Sequence, residues 1–281
     1  MLSPFWPVFM ITLVGIAQAM PIDEPDYNDD DEQEGYRIVC PGNGMPCHVT
    51  GEEEFGIINE GDIIKAIEEI DKEDRNALID KERHWYKGIV PYIYHEEFSS
   101  IDKAKIEVAM EIIEKNTCVK FRPYQQGDNE RTVVFITGQS GCRATVGYKM
   151  SRKRHNLNLH PSGCLGRVGT IAHEMLHVLG LKHEHARPDR DDYVTVVWNN
   201  IKDGHKKNFI KANPKEFTTF NVPYNYLSVM HYPAVSFSKN GEPTIIPKDK
   251  DVDIDSLGQR QRVTKLDFEK INLMYNCKNE Q

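Results

Sequence analysis

The feature that most constrains this chain is an eleven-residue stretch with three histidines, HEMLHVLGLKH, which begins at His173 and ends at His183. Residues i and i+4 of an α-helix lie on one face, so His173 and His177 can direct their imidazoles at a common centre. Gly180 can take the left-handed conformation that ends a helix, and the chain can then return His183 to that centre. Glu174 lies too far round the helix to be a third ligand, but it can hold a water molecule there. The spacing therefore predicts a metal site with a general base beside it.

Three imidazoles with a fourth position left for water are typical of catalytic zinc, because structural zinc has a closed ligand set. Zinc lowers the pKa of such a water far below that of bulk water, to roughly 7, which provides a nucleophile at neutral pH. The alternative is a buried amphipathic helix that carries these histidines by chance. Residue frequencies give such a match on the order of once in ten thousand sequences. We therefore expect one catalytic Zn²⁺ per chain.

Two further motifs suggest a family. The extended pattern HExxHxxGxxH is the signature of metzincin proteases, in which a methionine turn follows, and SVMHY at 228–232 supplies one. The segment EHARPDR after His183 resembles the astacin family in particular. The resemblance covers roughly Asn76 to Cys277, and it implies a zinc-dependent endopeptidase acting on protein or peptide substrates. The alternative is a secreted zinc-containing binding protein without catalytic activity, although every residue that the chemistry needs is present.

The resemblance also implies an α+β fold, a metzincin-type protease domain with two lobes. We expect the upper lobe to contain a twisted, mostly parallel sheet with an edge strand and two long helices, and the lower lobe to be irregular with a C-terminal helix. Residue patterns predict strands at 90–95, 118–124 and 132–138, and helices at 101–115 and near 264–275. Residues 156–160 alternate polar and apolar side chains, which predicts the edge strand that an extended substrate could pair with.

Several residues near the zinc helix acquire roles from the resemblance, beside the base Glu174. Tyr232 is expected to be a further metal ligand that moves to stabilise the oxyanion, and Met230 to form an apolar floor beneath the histidines. Glu184 is expected to pair with the new amino terminus of the mature enzyme. Arg260 lies in a segment that borders the primed side of the cleft in relatives. A preference for acidic residues after the scissile bond is therefore expected.

The first 19 residues predict an exported protein. They carry no charged side chain, contain an apolar run at 9–17 and end in Ala-Gln-Ala, as a secretory signal peptide with its cleavage site does. An uncleaved anchor is the alternative. No other stretch approaches the ~20 apolar residues of a membrane helix. We expect a secreted, extracellular monomer without a stable membrane anchor.

Charge divides the rest of the chain into two parts. Residues 20–75 hold 18 acidic and 4 basic side chains, a net charge of −14, whereas residues 76–281 hold 25 acidic and 31 basic ones, a net charge of +6. We interpret 20–75 as an acidic propeptide, with a solvated tail at 21–34 and a docking segment at 57–70, and 76–281 as the catalytic domain. The charge of +6 is too small and too scattered to indicate a nucleic-acid partner.

The propeptide contains candidate residues for inhibition and activation. NEGD at 59–62 resembles the Phe-x-Gly-Asp segment of astacin propeptides, whose aspartate caps the zinc, with asparagine in place of phenylalanine. Asp62 in the position of the water would block the nucleophile, and a thiolate of Cys40 or Cys47 is the alternative zinc ligand. A trypsin-like protease that cleaves between Arg75 and Asn76 would release the enzyme, unless Arg75 is merely an exposed basic residue.

Six cysteines allow fifteen pairings. The turn-forming residues between Cys40 and Cys47 favour a small local disulfide, as expected in an oxidising compartment. For the other four, the family pattern implies that Cys118 pairs with Cys277 and Cys142 with Cys164.

Overall fold

The computed structural model describes residues 36–41, 45–51, 57–59, 62–65, 81–129, 132–152, 154–212, 214–215 and 217–278. All of them belong to one compact unit that spans 34–281. The predicted ends of the leader at residue 19 and of the propeptide at residue 75 lie outside the described residues. The same is true of Arg75 and Asn76.

The described residues form eleven strands and four α-helices. The strands are β1 Tyr36–Val39, β2 His48–Gly51, β3 Ile57–Asn59, β4 Ile63–Lys65, β5 Ile89–His95, β6 Lys120–Pro123, β7 Val134–Thr137, β8 Cys142–Thr145, β9 His155–Leu159, β10 Val194–Val196 and β11 Ile245–Pro247. The helices are α1 Ser100–Asn116, α2 Pro161–Cys164, α3 Val168–Leu179 and α4 Lys265–Met274. The predicted strands correspond to β5, β6 and β7, and the two predicted helices to α1 and α4.

The first nine strands form one mixed sheet. Its order is β1-β2-β5-β7-β9-β8-β4-β3. Strand β6 also pairs with β5, along residues 89–92, whereas β2 pairs with β5 at residues 94 and 95. Strands β6, β5, β7 and β9 are parallel, and β8 is antiparallel to β9. These five strands are the expected mostly parallel sheet. The hairpins β1-β2 and β3-β4 extend it at both ends, through parallel pairing of β2 with β5 and of β4 with β8.

The prediction of an edge strand at 156–160 is wrong in its position. That segment is β9, which pairs with β7 on one side and with β8 on the other. The polar residues of β9 are buried, and the Asn158 amide donates hydrogen bonds to the carbonyls of Gln139, Ser140 and Gly141 at 2.6–3.1 Å. Its alternation therefore reflects an internal hydrogen-bond network. The edge strand next to β9 in the five-stranded sheet is β8, a short strand with no alternating pattern.

The helices pack on this sheet to form the main core. The Ser99 side chain caps α1 by accepting a hydrogen bond from the Asp102 amide. Helices α1 and α3 contact each other, and their apolar side chains join those of the sheet in one buried cluster. Trp85 secures α3 by donating its indole N–H to the Val178 carbonyl at 2.8 Å. The zinc-motif residues on α3 therefore lie on a rigid element.

The lower part of the molecule has little regular structure. Strands β10 and β11 pair there, and α4 closes the chain. A second buried cluster lies in this part and includes Phe209, Tyr224, Tyr232 and Ile245. This arrangement agrees with the expected irregular lobe with a C-terminal helix.

Three disulfides link the described segments: Cys40–Cys47, Cys118–Cys277 and Cys142–Cys164. The second joins the segment after α4 to the start of β6, and the third joins β8 to α2. Both bonds brace the frame around α3. Among the described residues, no helix has the length and apolar character that a membrane crossing would need.

Candidate metal centre

Helix α3 and the turn after it bring three histidines together. His173 and His177 lie one turn apart on α3, which ends at Gly180 in the left-handed conformation, with φ of 113°. The Gly180 amide donates to the carbonyls of Leu176 and His177, which closes the helix and redirects the chain. The ring centroid of His183 then lies 5.4 Å from that of His173 and 4.7 Å from that of His177. All three side chains are at most 1% exposed.

Hydrogen bonds from the backbone fix the orientation of two of these rings. The Nδ1 atoms of His173 and His177 lie 2.7 Å from the carbonyls of Val229 and Leu181. Nδ1 must carry the proton to donate there, so Nε2 of each ring is left with its lone pair. Burial, with a smaller contribution from the Arg260 charge, lowers the pKa of His173 to about 4, and burial also lowers the pKa of His177. Neutral imidazoles with a lone pair on Nε2 are the form that binds a metal.

Asp62 lies at the centre of the three rings. Its carboxylate oxygens are 3.2 Å from His173 Nε2, 3.1 Å from His183 Nε2 and 3.7 Å from His177 Nε2. One ligand atom from each of the four residues lies within 4.8 Å of the others. Burial alone would raise the pKa of the Asp62 carboxyl, but the charge of His183 and the other two imidazoles hold it well below its usual value.

The donor atoms fit zinc. Within the described part of the chain, the buried atoms His177 Nε2 and Asp62 Oδ1 have no hydrogen-bond partner. Buried polar atoms without partners are costly, and here they converge on one point. Three imidazole nitrogens with one carboxylate oxygen form a ligand set that zinc accepts in four-coordinate sites.

Glu174 is buried beside this centre. Its side chain is 2% exposed, and Oε2 has no hydrogen-bond partner among the described residues. Burial raises the pKa of Glu174 well above its usual value, and the negative charge of Asp62 raises it further. The negative charge of Asp62 therefore makes it harder for Glu174 to ionise, and the charge of Glu174 acts on Asp62 in the same way.

The methionine turn contacts the histidine site, because the Val229 carbonyl lies 2.7 Å from His173 Nδ1. Met230 is 1% exposed, and its carbonyl accepts a hydrogen bond from the Glu184 amide at 2.9 Å. The Tyr232 ring stacks on His185 and its centroid is 4.4 Å from that of His183. Tyr232 thus lies beside the third histidine, while its part in catalysis and the supporting role of Met230 stay predictions.

Glu184 is held by partners that the sequence analysis did not identify. Lys270 on α4 forms an ion pair with Oε2, and Arg187 Nη1 lies 3.0 Å from Oε1. The Asn225 amide donates to the same Oε1 at 3.0 Å. No local sequence pattern marks Lys270 as the partner of Glu184, because the two residues are 86 positions apart. The residues that would form the mature amino terminus lie outside the described ones, so its pairing with Glu184 stays a prediction.

Arg260 lies beside the centre, packed against the start of α3. Its guanidinium donates to the His231 carbonyl at 3.1 Å. Burial lowers its pKa, and the charges of Asp62 and Glu174 partly offset this effect. The backbone of Arg260 contacts Gly169, where an added Cβ would lie 2.3 Å from the Arg260 carbonyl oxygen. Gly169 therefore sets how closely the Arg260 segment approaches the zinc helix.

We expect Gly169→Ala to destabilise the protein, although alanine is the better helix former by about 1 kcal/mol. The Cβ would overlap backbone atoms, and such overpacking costs about 1–3 kcal/mol. Denaturant unfolding measures the change in free energy. Gly163→Ala in α2 is the control, because a Cβ there meets nothing within 4 Å. Equal stability of both variants would contradict this packing.

Comparison with known proteins gives the family. The family model described as Astacin, a family of peptidases, matches residues 77–276. The chain belongs to the astacin family. The histidine site is therefore a zinc site, in which zinc is bound by His173, His177 and His183, and the protein is a zinc metalloendopeptidase that acts on protein substrates. The resemblance inferred from the sequence is confirmed.

Individual astacins match much of the chain. Seminal metalloprotease 1 of Drosophila melanogaster is 36% identical over 208 residues, which cover 72% of this chain and 82% of the relative. Zinc metalloproteinase nas-4 of Caenorhabditis elegans is 33% identical over 267 residues, 93% of this chain and 82% of the relative. The structure of high choriolytic enzyme 1, a hatching enzyme zinc-protease from Oryzias latipes, superposes with a TM-score of 0.65 at 31% identity and covers 72% of this chain and 100% of its own.

Proposed function

We propose that this astacin is made as a secreted, inactive precursor, in which Asp62 takes the position beside zinc that the attacking water needs. The observation that carries this proposal is the approach of one carboxylate to the Nε2 atoms of all three zinc histidines, at 3.1–3.7 Å. A carboxylate oxygen is a good zinc ligand and completes a four-coordinate set. The disulfide Cys40–Cys47 argues against the alternative, because neither cysteine is a free thiol.

The pairing of β4 with β8 supports a second level of inhibition. The Ala144 amide donates to the Asp62 carbonyl at 2.8 Å, and Ile63 and Ile64 continue as a parallel partner of β8. An extended substrate would pair with the same edge of β8, because strand addition supplies backbone hydrogen bonds without reading every side chain. The precursor segment would thus exclude both the water and the substrate chain.

The proposed organisation is a signal peptide at 1–19, an acidic propeptide at 20–75 and a catalytic domain at 76–281. The apolar leader and three disulfides support export to an oxidising compartment. A trypsin-like protease cutting after Arg75 would activate the enzyme, which we propose acts as a monomer.

In the proposed mechanism, zinc supplies Lewis acidity, which activates water and polarises the scissile carbonyl. Glu174 lies at the centre without a competing partner for Oε2 among the described residues, so it can accept the proton of the water and pass it to the leaving amine. Tyr232, adjacent to His183, donates its phenol hydrogen to the oxygen on which negative charge develops. His173 and His177 keep their geometry through the carbonyls of Val229 and Leu181.

Cleavage preference offers a test of Arg260. Because its guanidinium lies beside Glu174 and Asp62, it can attract a substrate carboxylate near the scissile bond. We expect Arg260→Ala to reduce kcat/KM about 10-fold for peptides with Asp or Glu after the scissile bond, since hydrogen bonds to charged groups contribute about 1.5–3 kcal/mol. Peptides with Ala at that position should be affected less. Cleavage-site profiling of a peptide mixture measures both, and an unchanged profile would contradict the assignment.

The precursor proposal is tested by limited proteolysis. The purified precursor should not cleave a denatured protein, and trypsin treatment should produce activity together with a new amino terminus at Asn76. Arg75→Gln is the matched variant: it should remain uncut at this position and stay inactive. Full activity of the intact precursor, or activation of Arg75→Gln at the same rate, would contradict the proposal.

A further inference from the structure

Among the described residues, the partners of the buried Glu184 carboxylate all lie after residue 76, in the proposed catalytic domain. Lys270 pairs with Oε2, and Oε1 accepts from Arg187 and from the Asn225 amide, both at 3.0 Å. Glu184 is 1% exposed, Arg187 2% and Lys270 5%. A buried carboxylate requires compensation by charge and hydrogen bonds. These two cations provide it while the propeptide is still attached.

This ion-pair group connects the third zinc ligand to the rest of the lower lobe. Glu184 directly follows His183, and its amide donates to the Met230 carbonyl. Lys270 belongs to α4, whose Asp267 accepts hydrogen bonds from the Ser228 hydroxyl and the Val229 amide. Val229 in turn supplies the carbonyl that orients His173. A displacement of Glu184 would therefore be transmitted to His183 and, through α4 and Val229, to His173.

We infer that Lys270 is a positioning residue, which with Arg187 holds Glu184 and the His183 loop in the catalytic arrangement without help from the mature amino terminus. The inference rests on the proposed function, in which cleavage after Arg75 creates that terminus. A terminal ammonium at Glu184 then becomes an optional third cation. Enzyme with extra residues before Asn76 should accordingly be active.

The experiment compares two mature forms made from the full precursor through an engineered specific cleavage site. One begins at Asn76 and the other carries Gly-Ser before Asn76. Each form is prepared as wild type, Lys270→Met and Lys270→Arg. The measurements are kcat and KM on one peptide, and the rate of zinc loss to a chelator, which does not depend on proteolysis.

For wild type, we expect kcat/KM of the two forms to agree within about twofold. In the extended form, Lys270→Met should lower kcat at least about tenfold at nearly unchanged KM and speed zinc loss about tenfold, because it leaves one Glu184 oxygen buried without its cation. Lys270→Arg should restore both values to within about threefold, since it keeps the charge.

Two results would overturn the inference: a more than tenfold loss of activity in the extended wild type, or extended Lys270→Met behaving like wild type. If Lys270→Met does not fold, the two wild-type forms still test the inference. They differ only in whether the amino terminus begins at Asn76, so a difference in their activity measures the dependence on that terminus. If no form cleaves the peptide, the proposed function fails, while the zinc-loss rates of wild type and Lys270→Met still test the role of Lys270.

Discussion

Replacing Asp62 with alanine should make the uncleaved precursor active, at about 10–100 times the residual activity of the wild-type precursor. The substitution removes the carboxylate that lies 3.1–3.7 Å from the three histidine Nε2 atoms. Hydrogen bonds to charged groups contribute about 1.5–3 kcal/mol, which sets this range for the shift from the closed to the open state. Activity should remain below that of the processed enzyme, because pairing of β4 with β8 does not require the carboxylate.

The measurement is cleavage of a quenched peptide by precursor that carries Arg75→Gln, so that processing cannot occur. Glu60→Ala removes a different acidic side chain two residues earlier in the sequence. It should leave the precursor inactive, which would show that the effect is specific to the Asp62 carboxylate. Trypsin-treated enzyme without the Arg75 substitution should be equally active with or without Asp62. A precursor with Asp62→Ala that stays as latent as wild type would show that the carboxylate does not block the centre.

Replacing Glu174 with glutamine should lower kcat by about 10²–10⁴-fold, the usual contribution of a general base. Glutamine has the same shape but cannot accept the proton of the attacking water. Zinc content should not change, because the three histidines retain their positions and carbonyl partners. Stability should not fall, since the side chain is fully buried and its Oε2 has no hydrogen-bond partner in the described residues.

The measurement is single-substrate kinetics with zinc analysis of the same sample. Glu107→Gln is a matched control on α1, at a position away from the centre, and should retain wild-type activity. A Glu174→Gln enzyme with normal zinc and more than one-tenth of wild-type kcat would exclude Glu174 as the base.

The sequence predicted those parts of the site that depend on local spacing. His173 and His177 needed only helical periodicity, and Gly180 needed only its freedom to take a positive φ, so His183 could be placed with them. The capped helix α1 and the strands β5 and β7 carry similarly local signals. Each of these features is determined by residues that are close in sequence.

Other features depend on contacts between distant segments, which one sequence does not specify. Strand β8 has only four residues with no alternation, and it forms because β9 offers a partner. The alternation at 156–160 predicted an edge strand, but β9 lies between β7 and β8, and Asn158 instead hydrogen-bonds to backbone carbonyls of residues 139–141. The pairing of Lys270 with Glu184 joins residues 86 positions apart. No local pattern distinguishes this lysine from an exposed one.

The position of Asp62 shows how a weak sequence match can gain support from geometry. The segment NEGD lacks the phenylalanine of the family pattern, yet its aspartate lies among the zinc histidines. Ile63, which follows it, is 2% exposed and belongs to the main core cluster. Docking of this stretch is therefore anchored by Ile63 and by the strand pairing, which do not depend on the missing aromatic residue.

The most direct test of the account is metal removal and return on processed enzyme with a denatured protein as substrate. We predict that a chelator abolishes cleavage, that dialysis followed by one equivalent of Zn²⁺ restores it, and that Glu174→Gln remains inactive throughout. Cleavage that persists in metal-free protein would contradict a zinc-dependent mechanism. Folded, processed and zinc-loaded protein that cuts nothing would instead favour a zinc-containing binding protein.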